Sequence, residues 1–207
     1  MMLSPRFARA STAALVLSGW LLSPAAARTE PAQPPTSAAG VARIRIDNFG
    51  RVNETFYRGA QPRGGDYADL ASLGVRTVIN LTSDDADAEE QAMTERAGMR
   101  YVEIPMSTRV VPTKAQLSEF LAIVNDPASQ PVYVHCVGGR HRTGVMTAGY
   151  RMVHDGWSAD RAFQEMKQYK FGADFLHPEF KKFVYAFRSE PRPATPTNTV
   201  LATTVVN

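Results

Sequence analysis

The stretch PVYVHCVGGRHRTG, residues 131–144, decides the expected fold of this chain. Its first six residues form an apolar, β-branched run, which predicts a buried strand that ends at Cys136. From about Arg142 the pattern becomes that of a helix, so the residues Val137–His141 form a short connection between the two elements. A strand followed so closely by a helix is typical of an α/β protein.

Strands and helices alternate on both sides of this stretch. Further strands are predicted at 43–49, 55–62, 77–82 and 101–106. Helices are predicted at 66–74, 86–98, 158–169 and 177–189. Another helix follows a capping box made by Thr113 and Gln116. This alternation predicts an α/β fold with a central, mostly parallel sheet flanked by helices.

Composition indicates one folded domain of ordinary size. Of the 207 residues, 44% are hydrophobic and 21% are charged, which excludes a collagen-like or wholly disordered chain. The formal net charge is only +3, and two of the arginines belong to the N-terminal segment described next. The charge balance therefore gives no reason to expect a nucleic-acid partner.

The first 27 residues have the order of a secretory signal peptide. Arg6 and Arg9 precede an apolar run, Ala10–Leu22, and three alanines follow that end at Ala27. The apolar run is shorter than the roughly 20 residues that span a bilayer. We therefore expect cleavage after Ala27 and no stable membrane insertion afterwards.

Two further segments differ in composition from the central region. Residues 28–40 and 191–207 are rich in Pro, Ala and Thr, which predicts a flexible linker and a disordered tail. The folded domain is then 41–190, in a secreted or periplasmic protein. Export usually means oxidising conditions, and Cys136, the one cysteine of the chain, has no second cysteine to pair with.

The position of Cys136 predicts an anion site. Open α/β sheets bind ligands at the carboxyl ends of strands, and the helix that follows presents unpaired N–H groups. Gly138 and Gly139 allow the backbone to curl so that successive N–H groups converge. Such a setting lowers the pKa of a thiol. Arg142 can grip two oxygens of a bound phosphate with its planar fork, and Arg140 adds positive charge at the rim.

Four motifs, in order, carry a resemblance to a known family: YRGAQP, TVINL, YVEIPM and PVYVHCVGGRHRTG. Together they are similar to the protein tyrosine phosphatase and dual-specificity phosphatase superfamily, and to its atypical dual-specificity group with bacterial relatives in particular. The similarity covers most of 41–190, which it implies to be a phosphatase domain. The implied fold is that of a cysteine phosphatase, with a Cys-x5-Arg phosphate loop between strand and helix.

The resemblance implies a role for each matching residue. Cys136 is the nucleophile that forms a cysteinyl-phosphate from a phosphotyrosine or phosphoserine/threonine substrate, and Arg142 binds the phosphoryl group and stabilises its transition state. Thr143 supports the departing thiolate, and His135 tunes the nucleophile. The implied phosphate-binding residues are Val137, Gly138, Gly139, Arg140, His141 and Arg142. No cofactor and no metal is implied.

The chain departs from the superfamily pattern at the general acid. Members usually carry an aspartate after the strand that reads YVEIPM here, but the loop Ser107–Pro112, STRVVP, contains no acid. Asp84 and Asp85 follow the strand TVINLT at the same end of the sheet and are candidates for the proton donor. Their alternative role is to supply negative charge at the start of the next helix.

The missing acid leaves other functions open. The natural leaving group could need no proton, as in an aryl phosphate or a phosphoanhydride. The resemblance includes enzymes that act on inositol pyrophosphates, whose extra phosphates Arg140, His141 and Lys114 could hold. A phospho-ligand binding module without catalysis is the third alternative.

Two other kinds of site share part of this pattern with the phosphatase. His135, Cys136 and His141 are close in sequence, but His154 and His177 belong to other predicted elements, so the spacing does not indicate a structural zinc site. A sulfurtransferase of the rhodanese type also holds a cysteine in an anion-binding loop. Its loop is typically one residue shorter, and the ending Arg-Thr-Gly favours the phosphatase.

Overall fold

The computed structural model describes residues 44–83 and 87–187. The predicted segments outside these ranges are 1–27, 28–40, 191–207 and the pair Asp84 and Asp85. Within the described ranges, no helix has the length and the apolar character that a membrane crossing requires.

Five strands and six helices make up the described ranges. The strands are β1 (Gly50–Arg51), β2 (Phe56–Ala60), β3 (Thr77–Thr82), β4 (Arg100–Met106) and β5 (Val132–Cys136). The helices are α1 (Asp66–Ser72), α2 (Glu90–Arg96), α3 (Lys114–Asn125), α4 (Arg142–His154), α5 (Ala159–Gln168) and α6 (Pro178–Ala186).

Strand β5 lies at the centre of the sheet, whose strand order is β1-β2-β5-β3-β4. It pairs in parallel with β2 and with β3, and β3 pairs in parallel with β4. Only β1 runs antiparallel to its neighbour, β2. All residues of β2, β3 and β5 are buried, as in a sheet covered on both faces. The predicted α/β fold with a mostly parallel central sheet is confirmed.

The two faces of the sheet carry separate hydrophobic cores, because successive side chains of a strand alternate in direction. Val134 and Cys136 face the core formed with α3, α4, α5 and α6. Tyr133, which precedes Val134, faces the core formed with α1 and α2. The strand that ends at Cys136 is therefore fixed from both sides.

The predicted first strand, 43–49, is wrong. Pairing with β2 begins only at Gly50, because Asn48 has a left-handed φ of 56°, which interrupts an extended chain. The N–H of Phe49 instead donates to the carbonyl of Ile46 at 3.3 Å. This turn directs the Asn48 side chain toward the loop that follows β5.

The capping box at the start of α3 fixes the segment that precedes it. The Thr113 hydroxyl accepts from the N–H of Gln116 at 3.2 Å, and the Gln116 side-chain oxygen accepts from the N–H of Thr113 at 2.8 Å. The Gln116 amide also donates to the carbonyl of Pro105 at 2.6 Å. The helix start is thus tied to β4, and the loop Ser107–Pro112 is held at both ends.

Candidate active site

Cys136 and Arg142 border one cavity at the carboxyl edge of the sheet. Cys136 is the last residue of β5 and Arg142 is the first of α4, and each side chain is 3% exposed. The cavity between them has a volume of about 360 Å³. Its lining residues in the described part of the chain are Thr108, Cys136, Val137, Gly138, Arg140, His141 and Arg142.

The loop closes tightly because Gly139 adopts a left-handed φ of 62°. A Cβ atom at this position would lie 2.3 Å from the carbonyl carbon of Gly59 in β2, so only glycine fits. Gly138 is different, since a Cβ there would meet nothing nearer than the Arg140 side chain at 3.4 Å. Gly139 thus lies against the sheet, behind the residues that line the cavity.

The loop favours the ionised form of Cys136. Burial by itself raises the pKa of the Cys136 thiol, but hydrogen bonds from the hydroxyl and the N–H of Thr143, the charge of Arg142 and the N–H of Arg140 outweigh burial and lower it below its usual value. The Thr143 oxygen has no other aligned hydrogen-bond partner in the described ranges. Its hydroxyl is therefore free to turn toward the sulfur.

The Arg142 guanidinium is anchored to the end of β4. Its Nη1 donates to the carbonyl of Met106 at 3.0 Å. The hydroxyl of Ser83, the last described residue after β3, donates to the same carbonyl at 3.0 Å. The ends of β3 and β4 and the start of α4 therefore meet at the position of Arg142.

His135 is a buried residue on the opposite face of the sheet from Cys136. Its Nε2 lies 2.6 Å from Oε1 of Glu90 in α2, and neither side chain is exposed. The two atoms lie within ion-pair distance, but their relative orientation is not that of a regular hydrogen bond. The other carboxylate oxygen of Glu90 accepts from the Asn80 amide at 3.0 Å. His135 thus ties β5 to β3 and α2 and does not border the cavity.

Arg140 and His141 form the outer rim of the cavity. The Arg140 side chain is 46% exposed, and its Nη2 lies 3.8 Å from Oδ2 of Asp47. Nε2 of His141 donates to the carbonyl of Phe171 at 2.9 Å, and the His141 ring lies 3.7 Å from the ring of His177. Burial lowers the pKa of His141 more than the Phe171 carbonyl raises it. His141 therefore favours the neutral form at this rim.

The acid-free loop after β4 contributes Thr108 to the cavity, a residue that sequence reasoning did not single out. Neither an aspartate nor a glutamate belongs to the cavity lining within residues 44–83 and 87–187. Asp84 and Asp85, the predicted proton donors, lie outside these ranges. Over the same ranges, no group of three or more His, Cys, Asp or Glu side chains is arranged to hold a metal ion.

The relatives that sequence comparison finds include a dual specificity protein phosphatase and an inositol diphosphatase. The family model described as "DSP-PTPase phosphatase fused to NAD+ Kinase" matches residues 43–182. The dual specificity protein phosphatase TpbA of Pseudomonas aeruginosa strain UCBPP-PA14 is 33% identical over 159 residues, which cover 77% of this chain and 71% of TpbA. The inositol diphosphatase SIW14 of Saccharomyces cerevisiae is 28% identical over 133 residues, 62% of this chain and 47% of that protein.

Solved structures with the same fold agree. The catalytic core of S. cerevisiae SIW14, in complex with citrate, is 27% identical with a TM-score of 0.61, over 69% of this chain and 86% of that one. A P. aeruginosa TpbA variant in complex with pTyr is 30% identical with a TM-score of 0.57, over 66% and 82% of the two chains. The chain therefore belongs to the superfamily of dual-specificity and tyrosine phosphatases.

Proposed function

We propose that Cys136 is the nucleophile of this phosphatase and that Arg142 binds the phosphoryl group of the substrate. One observation carries the proposal: the two buried side chains border one cavity, and the surroundings of the thiol lower its pKa. A thiolate beside a rigid guanidinium fork is suited to attack on a phosphate monoester. The substrates that we favour are phosphotyrosine and phosphoserine/threonine, because the relative TpbA is named a dual specificity protein phosphatase and a TpbA variant was solved in complex with pTyr.

The reaction takes two steps. The Cys136 thiolate attacks phosphorus, an S–P bond forms, and the bond from phosphorus to the ester oxygen breaks. Arg142 and the N–H groups of the loop residues that line the cavity, Val137, Gly138, Arg140 and His141, stabilise the charge on the equatorial oxygens. The N–H of Gly139, which was also predicted to bind phosphate, donates instead to the carbonyl of Cys136 at 3.3 Å. Water then cleaves the S–P bond and releases inorganic phosphate, while the Thr143 hydroxyl stabilises the thiolate that returns. His135 acts at a distance, by fixing β5 through Glu90.

Two candidate functions differ in whether the leaving oxygen of the substrate needs a proton donor. Ser83, which precedes Asp84 and Asp85 in the sequence, contacts the carbonyl that also binds Arg142. One of these carboxyls is our candidate for the acid that protonates an alkoxide or phenoxide. If neither serves, the absence of a carboxylate from the described cavity lining favours substrates whose leaving group needs no proton.

Inositol pyrophosphates are the second candidate substrate class for that reason. Their leaving group is itself a phosphate, which departs without a proton donor. Arg140 at the rim supplies a half-exposed cation for a further phosphate, and the relative from S. cerevisiae is an inositol diphosphatase. A phospho-ligand binding module, the alternative from another class, would bind the same anions without turnover.

Paired substrates test the function and the acid together. In the presence of a chelator and a reductant, we expect the enzyme to hydrolyse p-nitrophenyl phosphate, because its leaving group is stable as an anion. Substitution of the true acid, by Asp84→Asn or Asp85→Asn, should lower hydrolysis of a phosphoserine peptide by about 10² to 10⁴-fold and change p-nitrophenyl phosphate hydrolysis far less.

A control and two outcomes complete this experiment. Arg96→Ala, an exposed arginine at the end of α2 and so at the opposite edge of the sheet, should leave both rates unchanged. If both aspartate variants hydrolyse the phosphoserine peptide at the wild-type rate, neither aspartate is the acid, and the phosphoanhydride substrates are favoured. Absence of any turnover, with inorganic phosphate still protecting Cys136 from alkylation, would show a binding module and contradict the proposal.

We also propose that the protein is exported to the periplasm or secreted. The support is the order of charge, apolar run and small residues within 1–27. N-terminal sequencing of the protein from the extracytoplasmic fraction should give Arg28 as the first residue. A protein that stays in the cytoplasm with its original N-terminus would contradict export.

A further inference from the structure

Arg58 is a fully buried arginine behind the phosphate loop. It lies in β2, beside β5, with no exposed surface. Its Nη2 donates to the carbonyl of Gly139 at 2.7 Å, and its guanidinium stacks on the ring of Tyr169 at 3.9 Å. Within the described ranges, its Nε and Nη1 have no hydrogen-bond partner.

Asn48 holds the same part of the loop from a second direction. Its Nδ2 donates to the carbonyl of Gly139 at 2.8 Å and lies 3.4 Å from the carbonyl of Gly138. The same amide nitrogen is 2.9 Å from the carbonyl of Tyr169. Two donors, 91 and 81 positions from Gly139 in sequence, therefore converge on the carbonyl of Gly139.

The direction of this carbonyl decides the direction of the next N–H. In a trans peptide the C=O and the N–H point to opposite sides of the chain. Holding the Gly139 carbonyl toward Arg58 thus sends the N–H of Arg140 the other way, where it donates to the sulfur of Cys136. A flip of this peptide would replace a donor at the thiolate by a carbonyl oxygen.

We propose that Arg58 is a positioning residue that, with Asn48, fixes the Gly139–Arg140 peptide so that its N–H faces Cys136 and the bound phosphoryl group. This inference rests on the proposed function of Cys136 and names a residue outside the cavity on which that function depends.

The buried charge of Arg58 supports a role beyond packing. Burial lowers the pKa of Arg58 to about 10, so the side chain remains a cation at neutral pH. A buried cation with two unpartnered nitrogens costs stability compared with an apolar side chain of similar size. The Cys136 thiolate lies within the electrostatic reach of this cation. The charged groups within electrostatic reach of the sulfur are therefore Arg142 from α4 and Arg58 from β2. The Tyr133 phenol lies on the other face of β5 and stays neutral, because burial raises its pKa well above its usual value.

Alkylation of the single cysteine tests this role without requiring turnover. The rate of reaction with iodoacetamide as a function of pH gives the thiol pKa of the folded protein. We expect Arg58→Met, which removes the donor and the charge, to raise that pKa by about one pH unit. Arg58→Lys keeps a charged donor and should restore most of the wild-type value. For the Met variant, kcat/KM on p-nitrophenyl phosphate should fall at least about tenfold, mainly through kcat.

Two further variants make the test decisive. Asn48→Gly keeps the left-handed backbone but removes the amide, so it should also raise the thiol pKa. This variant therefore tests the same peptide if Arg58→Met does not fold. Arg161→Gln is the control, because the guanidinium of Arg161 in α5 also stacks on an aromatic ring, that of Trp157 at 3.8 Å, just after the far end of α4 from the loop. It should leave the thiol pKa unchanged.

The outcomes separate this inference from the proposed function. An unchanged thiol pKa in folded Arg58→Met and in Asn48→Gly would overturn the positioning role, whatever the enzyme turns over. A raised thiol pKa in the control as well would also overturn it, since the effect would then come from general loosening. If wild-type protein shows no turnover, the proposed function fails, but the shifts in thiol pKa still test the peptide orientation.

Discussion

Cys136→Ser is expected to abolish hydrolysis of p-nitrophenyl phosphate, with a loss of about 10⁴-fold or more. The loop stabilises a thiolate through the Thr143 hydroxyl, two N–H groups and Arg142. A serine hydroxyl has a far higher pKa than a thiol, so the same groups cannot ionise it near neutral pH. The measurement is the steady-state rate with chelator and reductant present.

Binding serves as the internal control for this variant. Serine is close to cysteine in size, and position 136 is 3% exposed, so the loop should keep its shape. Cys136→Ser should therefore bind inorganic phosphate with an affinity within a few-fold of wild type in a calorimetric titration. A serine variant that retains turnover within tenfold of wild type would exclude Cys136 as the nucleophile.

Arg142→Ala is expected to lower kcat/KM on the same substrate by about 10³-fold, a loss typical of removing a transition-state donor to phosphate. Arg142→Lys should recover only a small part of the rate, because an ammonium group lacks the planar fork that grips two oxygens. The side chain also anchors Met106 at 3.0 Å, so thermal unfolding of both variants must be measured beside the rates.

Arg96→Ala is again the matched control, since it removes an exposed arginine at the other edge of the sheet. It should leave kcat/KM unchanged. If Arg142→Lys equals wild type, a point charge is sufficient, and the fork geometry proposed for Arg142 is wrong.

The sequence predicted the central sheet well because burial on both faces leaves a readable pattern. The run TVINLT became β3 with the same ends, and the run before Cys136 became β5. The start of α3 was equally readable, since a capping box is a local signal. The confirmed elements thus depend on neighbours in sequence.

The prediction of a strand at 43–49 is wrong because the path of this segment depends on a contact between residues far apart in sequence. Its alternating residues resemble a strand, but Asn48 turns the chain, and its side chain bonds to Gly139, 91 positions away. A hydrogen bond between such distant residues leaves no local pattern. The same holds for Glu90, whose contact with His135 is set by the packing of α2 on the sheet.

Part of the site could be predicted from the sequence. The strand, the loop and the helix around Cys136 follow from the local pattern, and their side chains do meet around one cavity. Thr108 carried no signal, because a threonine in a polar loop is ordinary. Arg58 did carry one: it is a charged residue in the middle of the buried run FYRGA, and such a residue requires a specific partner.

The central claim is that the reaction passes through a phosphoryl group on Cys136. Wild-type protein should be mixed with excess p-nitrophenyl phosphate, denatured rapidly during turnover and digested for mass spectrometry. The account predicts a peptide that carries one phosphoryl group on Cys136, and no such peptide from Cys136→Ser or from protein mixed with inorganic phosphate after denaturation. Turnover with Cys136 unmodified, or with the phosphoryl group on another residue, would contradict it.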